Sequence, residues 1–236
     1  MKTSEKHYKE LQSALLKNKG IPKGYFSTGY GGNADLSLHI TNPVLHKIAK
    51  DFVKSHKDIS LEDLVEMIHL LYKGKYDDEK QLSGKILMRY KDLKKQFDPK
   101  HLDEWLENAV GWSQVDSLCQ STFGIDDLSK NWNKWKKTLV KFSNDKNVSK
   151  RRASLVLLIR TLRETSEEKY SKLALEFVDK LKHEKDILIT KAISWILREM
   201  TKNHRDKVKS YLGSNENSLP KIAVRETRRK LETGRK

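Results

Sequence analysis

The chain has 236 residues, 36% hydrophobic and 34% charged, long enough to bury a core in one or two domains. The charged fraction is above the usual quarter, yet apolar residues run throughout, which argues against wholesale disorder. No segment approaches roughly eighteen uncharged apolar residues and no signal-peptide core follows Met1–Lys6, so a membrane-spanning or exported protein is not expected. The single cysteine, Cys119, leaves no internal disulfide framework and no cysteine-rich zinc site, and the cytoplasm (nucleoid-associated in a bacterium) is the expected compartment.

Lys+Arg number 48 against 32 Asp+Glu, a net charge of +16. Residues 1–140 hold 23 basic and 19 acidic residues, whereas residues 141–236 hold 25 and 13. Such a C-terminal excess suits polyanions, nucleic acid above all; a lysine-rich surface that serves only solubility would give the same count.

In chain order, the first feature is a non-helical stretch from Gly20 to Asn42, marked by Gly24, Gly29, Gly31, Gly32 and two tyrosines. Asn42-Pro43 then places a capping side chain before a proline suited to a helix start, as does Asp98-Pro99. Ser60-Leu61-Glu62-Asp63 and Ser166-Glu167-Glu168 are further starts, with acids in the positive first turn. Gly74, Gly124 and Gly213 follow periodic runs, as helix C-terminal glycines do. Between these marks apolar residues recur at three and four: Ile48 and Phe52; Leu61, Leu64, Val65, Ile68 and Leu71; Leu155, Val156, Ile159 and Leu162; Leu173, Leu175, Phe177, Val178 and Leu181. About a dozen helices of roughly ten to seventeen residues are predicted, without strands. Helix pairs repeat at about forty residues in the second half, near HEAT-type spacing. The expected architecture is a single all-α domain over 1–236, a curved superhelical array of HEAT-like repeats.

On a helix from Asp186 to Met200, Ala192, Ile193, Ile196 and Met200 form one apolar face. Trp195 lies off its centre, on the side of Lys191, Arg198 and Lys202. That is either a nucleic-acid surface, with charges on phosphate and the ring on sugar or base, or a tryptophan folded over the core among solvated cations. Arg152 shares the apolar side of Leu155, Val156 and Ile159 and sits near its helix start, where a cation meets the positive dipole end. Both features ask for an anionic partner, a phosphate or an internal carboxylate. Trp112 and Asp116 stand four apart just after Gly111, hence on one face, with the carboxylate beside Val115, Leu118 and Cys119. Asp116 is either a functional carboxylate or a helix-terminal one bonded to backbone amides. No GK[ST] phosphate loop, G-x-S-x-G or H-E-x-x-H occurs, the eight histidines show no metal-type cluster in sequence, and Cys119 is expected to be buried.

Taken together these sites resemble one family, the AlkD-like DNA alkylation repair glycosylases, built from HEAT-like repeats. Gly111-Trp112-Ser113-Gln114-Val115-Asp116 is similar to the family's W-x-x-V-D segment. Ser149-Lys150-Arg151-Arg152-Ala153-Ser154-Leu155 is similar to its arginine-bearing helix start, and Lys191-Ala192-Ile193-Ser194-Trp195-Ile196-Leu197-Arg198-Glu199 to K-A-I-G-W-x-L-R-E. Tyr30-Gly31-Gly32-Asn33, leading to Leu38-His39-Ile40-Thr41-Asn42-Pro43, resembles a tyrosine-led segment before a G-[IV]-x-x-P turn, and Val224-Arg225-Glu226 with Leu231 resembles the closing helix. Two departures stand out: His39 replaces the turn glycine, and Val44-Leu45-His46 lacks the arginine usual after the proline.

The resemblance implies a monofunctional glycosylase that hydrolyses the N-glycosidic bond of cationic alkylated purines (N3-methyladenine or N7-methylguanine type) in duplex DNA, leaving an abasic site. It implies Trp112, Asp116 and Trp195 as catalytic residues, and Arg152, Tyr30, Lys191, Arg198 and Lys202 as DNA contacts. It implies no metal and no organic cofactor, and a monomer is expected. The family's residues are also expected to lie within one nucleotide's reach on the concave side. The competing readings are a non-catalytic HEAT-like module that binds damaged or branched DNA, and a protein-binding helical scaffold.

Overall fold

The computed structural model describes residues 1–22 and 36–235. Fourteen helices occur among these residues, with no strand and one isolated parallel bridge, Leu36 to Tyr76. The chain is all-α, as the three-and-four spacing of its apolar residues dictates. Packing divides it into two compact units, Met1–Thr122 and Phe123–Lys236.

The first unit holds α1 (Thr3–Lys17), α2 (Asn42–Ser55), α3 (Leu61–Lys73), α4 (Asp77–Leu87), α5 (Lys91–Lys95), α6 (His101–Glu107) and α7 (Gly111–Leu118). Its centre is α4, which packs against α2, α3 and α7. Three consecutive acids, Asp77, Asp78 and Glu79, open that helix, and all three are buried. Burying carboxylates is costly unless hydrogen bonds and a favourable dipole compensate, and here each reaches a different neighbour. Asp78 accepts from the backbone N–H of Leu38 (2.7 Å) and Ile40 (3.0 Å). Glu79 accepts from the Tyr8 hydroxyl of α1 (3.0 Å) and the Tyr76 N–H (2.9 Å). Asp77 accepts from Gln114 of α7 (3.0 Å). One helical turn thus ties down three segments of the unit.

The turn held by Asp78 carries the substituted glycine position. His39 has φ +56°, a left-handed conformation that costs a non-glycine residue roughly 1–2 kcal/mol. The geometry expected of the missing glycine is therefore kept, with flanking amides clamped by a buried carboxylate.

The second unit holds α8 (Ile125–Lys130), α9 (Trp132–Ser143), α10 (Val148–Glu164), α11 (Glu168–Leu181), α12 (Ile187–Met200), α13 (Arg205–Asn215) and α14 (Lys221–Thr233). Within it α10 packs on α12 and α12 on α14, with α11 against α10 and α12, and α13 against α12 and α14. This every-second-helix contact is how stacked helical repeats build a continuous core. Covered by α9, α11 and α12, α10 is buried over most of its circumference, including the run from Ala153 to Ile159.

Several boundary signals behave as expected. Ser60 accepts from the Asp63 N–H, and Asp186 caps α12 through the Leu188 N–H. Cys119 is buried. Others differ. Thr41 rather than Asn42 occupies the cap position of α2, and Asp98 closes a turn onto the Lys100 N–H ahead of α6. Gly124 opens α8, its N–H held by Asp127 (2.9 Å), while Gly213 lies inside α13. Four helices, α5 to α8, are shorter than the expected ten residues, because Pro99, Gly111 and Gly124 interrupt this part of the chain.

Candidate nucleic-acid site

In the first unit the candidate residues lie on α7. Gly111 opens the helix at φ +77°, which only glycine adopts without strain. Gln114, fully buried, accepts from the Val110 N–H (2.8 Å) and donates to Asp77 (3.0 Å), satisfying an otherwise orphaned amide ahead of the helix. Gly84 lets α4 and α7 touch: a Cβ there would lie 2.3 Å from the Ser117 carbonyl oxygen. On this fixed helix Trp112 remains 36% exposed and Asp116 is half-buried one turn further on. The Asp116 carbonyl accepts from the Ser121 N–H (3.1 Å), which ends the helix and holds the carboxylate's backbone in place.

The same face of α4 carries Lys85, 6% exposed, whose ammonium has distant acceptors among the described residues, the Gln81 carbonyl (3.4 Å) and the Ser117 hydroxyl (3.5 Å). Burial pushes its pKa down to about 8, with Asp77 opposing and Arg89 adding to the shift.

In the second unit Arg152 is 4% exposed, and its guanidinium donates to the Leu188 carbonyl in the first turn of α12 (2.6 Å). Arg151 beside it spends its fork on Glu184 (2.8 and 3.0 Å) and on the carbonyls of Asp145 and Lys146. Trp195 is half-buried, and its indole N–H donates to Glu199 (3.1 Å), which also accepts from Arg163 (2.7 Å). The Arg163 guanidinium lies 6.0 Å from the Trp195 ring centroid. Burial opposes ionisation of Glu199, but Arg163, the Trp195 indole and Arg198 outweigh it and hold its carboxyl below the ordinary value.

The basic stripe beside Trp195 is only partly open. Lys191 is exposed and makes no ion pair among the described residues, and exposed Lys202 donates to the Arg163 carbonyl (3.1 Å). The expectation of a solvent-facing Arg198 is corrected: it is 8% exposed, donating to the Ser194 carbonyl (3.2 Å) and paired with Glu226 of α14 (3.3 Å). Glu226 also accepts from the Ser194 hydroxyl (2.6 Å). A wheel drawn on α12 alone places Arg198 beside Trp195, but α14 covers that edge and brings its own carboxylate. Tyr30 lies outside the described residues.

The sequence reading missed Asp77, Gln114, Arg163 and Glu199 as supports of the candidate residues. The run Asp77-Asp78-Glu79 was the available signal, since three acids in a helix's first turn ask what they bond to. Among the described residues no group of three or more His, Cys, Asp or Glu is placed to hold a metal ion, and no helix is long and apolar enough to cross a membrane.

Comparison with known proteins bears on what these residues serve. A solved structure described as a predicted DNA alkylation repair enzyme from Enterococcus faecalis superposes with a TM-score of 0.69, covering 97% of this chain and 96% of that one at 18% identity, which shows a shared fold. No curated protein gives a significant match. The family model for DNA alkylation repair enzymes matches residues 11–231, nearly the whole chain. The chain belongs to the DNA alkylation repair enzyme family, AlkD-like in its motifs, with DNA as its substrate.

Proposed function

We propose that this chain is a monofunctional DNA glycosylase that hydrolyses the bond between deoxyribose C1′ and a cationic alkylated purine in duplex DNA, leaving an abasic site. The observation that carries the reading is α7: an exposed tryptophan and a half-buried carboxylate one turn apart, on a helix fixed by Gly111, Gln114 and Asp77. A purine methylated on N3 or N7 already carries positive charge and leaves readily. The remaining demand is stabilisation of an oxocarbenium-like sugar, which a fixed carboxylate supplies. Asp116 provides that charge and orients the water that attacks C1′. Trp112 and Trp195 offer π faces to the developing cation, and Arg152 holds a backbone phosphate with its guanidinium. Lys191, Lys202 and Tyr30 complete the proposed contacts, while Arg198, expected as a contact, instead positions α14 against α12 through Glu226. Base and proton balance without a cofactor: water adds to C1′, its proton passes to Asp116 or solvent, and the neutral base departs.

The enzyme is read as a monomeric cytoplasmic protein acting on chromosomal DNA. Incubation with methylated duplex DNA followed by chromatography of free bases tests the function. Release of 3-methyladenine or 7-methylguanine supports it. Duplex binding without release transfers the assignment to a non-catalytic module for damaged or branched DNA.

A further inference from the structure

Arg89, near the C-terminal end of α4, reaches across to α2. One guanidinium nitrogen donates to His46 Nδ1 (3.1 Å) and to the His46 carbonyl (3.2 Å), and another donates to the Lys85 carbonyl. Because Nδ1 accepts, the His46 proton sits on Nε2 and the ring is neutral. Lys85 adds its poorly solvated ammonium on the same helix, in contact with Ser117, the residue after Asp116. The Arg89 guanidinium and the His46 ring thus meet where α2 and α4 pack, the Lys85 ammonium, set between α4 and α7, acts on both through space, and among the described residues neither Lys85 nor Arg89 forms an ion pair with a carboxylate. His46 and Arg89 are half-buried rather than closed off. Their mutual effect is unfavourable: burial, then Lys85, then Arg89 push the His46 pKa down, and burial also disfavours the Arg89 charge.

Two cations beside a neutral imidazole, in surroundings that disfavour their charge, are stabilised by an anion with several acceptor oxygens. The carboxylates nearest in effect, Asp77 and Asp78, act on Lys85 through space but are occupied with Gln114, Gln81 and the turn at 37–40. We propose that His46, Lys85 and Arg89 form a phosphate-binding cluster in the first unit, taking oxygens of the DNA backbone beside α7. Arg89 offers its unused N–H groups, Lys85 a point charge and His46 its Nε2–H. Naming DNA as the source rests on the proposed function; the phosphate chemistry rests on the cluster alone.

The test follows the His46 imidazole by NMR in the full chain, titrated with inorganic phosphate, with an undamaged duplex oligonucleotide, and with sodium chloride at matched ionic strength. The expected result is a saturable shift and a raised His46 titration midpoint with both phosphate and duplex, and neither with chloride. A response to phosphate without one to duplex overturns the DNA assignment. No response to either, or an equal response to chloride, overturns the cluster. Arg89→Gln should abolish the response, weaken duplex binding about tenfold or less, and lower the salt slope of binding by about 1. Lys85→Met gives a second variant should Arg89→Gln lose its cooperative thermal transition, and the unmutated His46 signal decides the matter regardless. A responding His46 in a chain that releases no methylated purine would sink the glycosylase reading and leave the cluster standing; release with a silent His46 would do the reverse.

Discussion

In the first unit Trp112 keeps 36% of its surface open and Asp116 lies half-buried on a helix held from behind by Gln114 and Asp77. In the second, Trp195 and Arg152 are bound to the protein's own acceptors: the indole to Glu199, the guanidinium to the Leu188 carbonyl. The second unit carries most of the positive charge, yet Arg151, Arg163 and Arg198 spend theirs on Glu184, Glu199 and Glu226. Formal charge is therefore a poor map of what is offered to DNA. The lysines left at the surface give non-specific attraction that salt screens, while the arginines fix the helices that carry the tryptophan.

This contrast predicts that substitutions in the two units fail differently. The largest stability effect is expected at Arg152→Ala, which empties a nearly buried site and removes its charge-assisted bond to the Leu188 carbonyl, at about 2–3 kcal/mol. Trp112→Ala, on an exposed side chain, should cost no more than about 0.5 kcal/mol while slowing excision. Urea unfolding of both variants measures the difference, and equal losses would remove the contrast.

Next in size is Gly84→Ala. The added Cβ meets backbone, not a pliable side chain, so α7 must shift at about 1–3 kcal/mol. Excision should fall by more than the loss of folded protein accounts for, because Trp112 and Asp116 ride on the helix that moves. Activity per folded molecule equal to the parent's would show that α7 need not be held so closely.

The smallest effect concerns acid. Glu199 has a folded pKa below its unfolded one, so its contribution is present above the ordinary carboxylate range and is lost as pH falls through the depressed value. Glu199→Gln should flatten the acid limb of the stability profile and leave Trp195 more mobile, seen as a changed fluorescence spectrum. An unaltered acid limb would assign no role to the Arg163–Glu199–Trp195 chain.

How much of this was open to reading from sequence follows the range of each interaction. The boundaries and apolar face of α12 were legible because its cap, Asp186, and its periodicity are local. The spacing of Trp112 and Asp116 was legible for the same reason. Arg198 was misread because its partner comes from another helix, which no wheel of α12 contains. Asp77, Asp78 and Glu79 went unread in the sequence, because only folding reveals that they bind α7, the turn at 37–40 and α1. His39 kept the left-handed turn because the Asp78 clamp secures the amides on both sides of it, a compensation distant in sequence.

Whether α7 presents a catalytic carboxylate or a structural one is decided by single-turnover release of methylated purines from duplex DNA, comparing the parent chain with Asp116→Asn. Asparagine keeps the shape and removes the charge. A catalytic Asp116 requires base release by the parent, a loss of roughly a hundred- to a thousandfold in the variant, and duplex affinity that holds or rises as a repulsive charge beside the phosphates is removed. Equal release by the two proteins would contradict it.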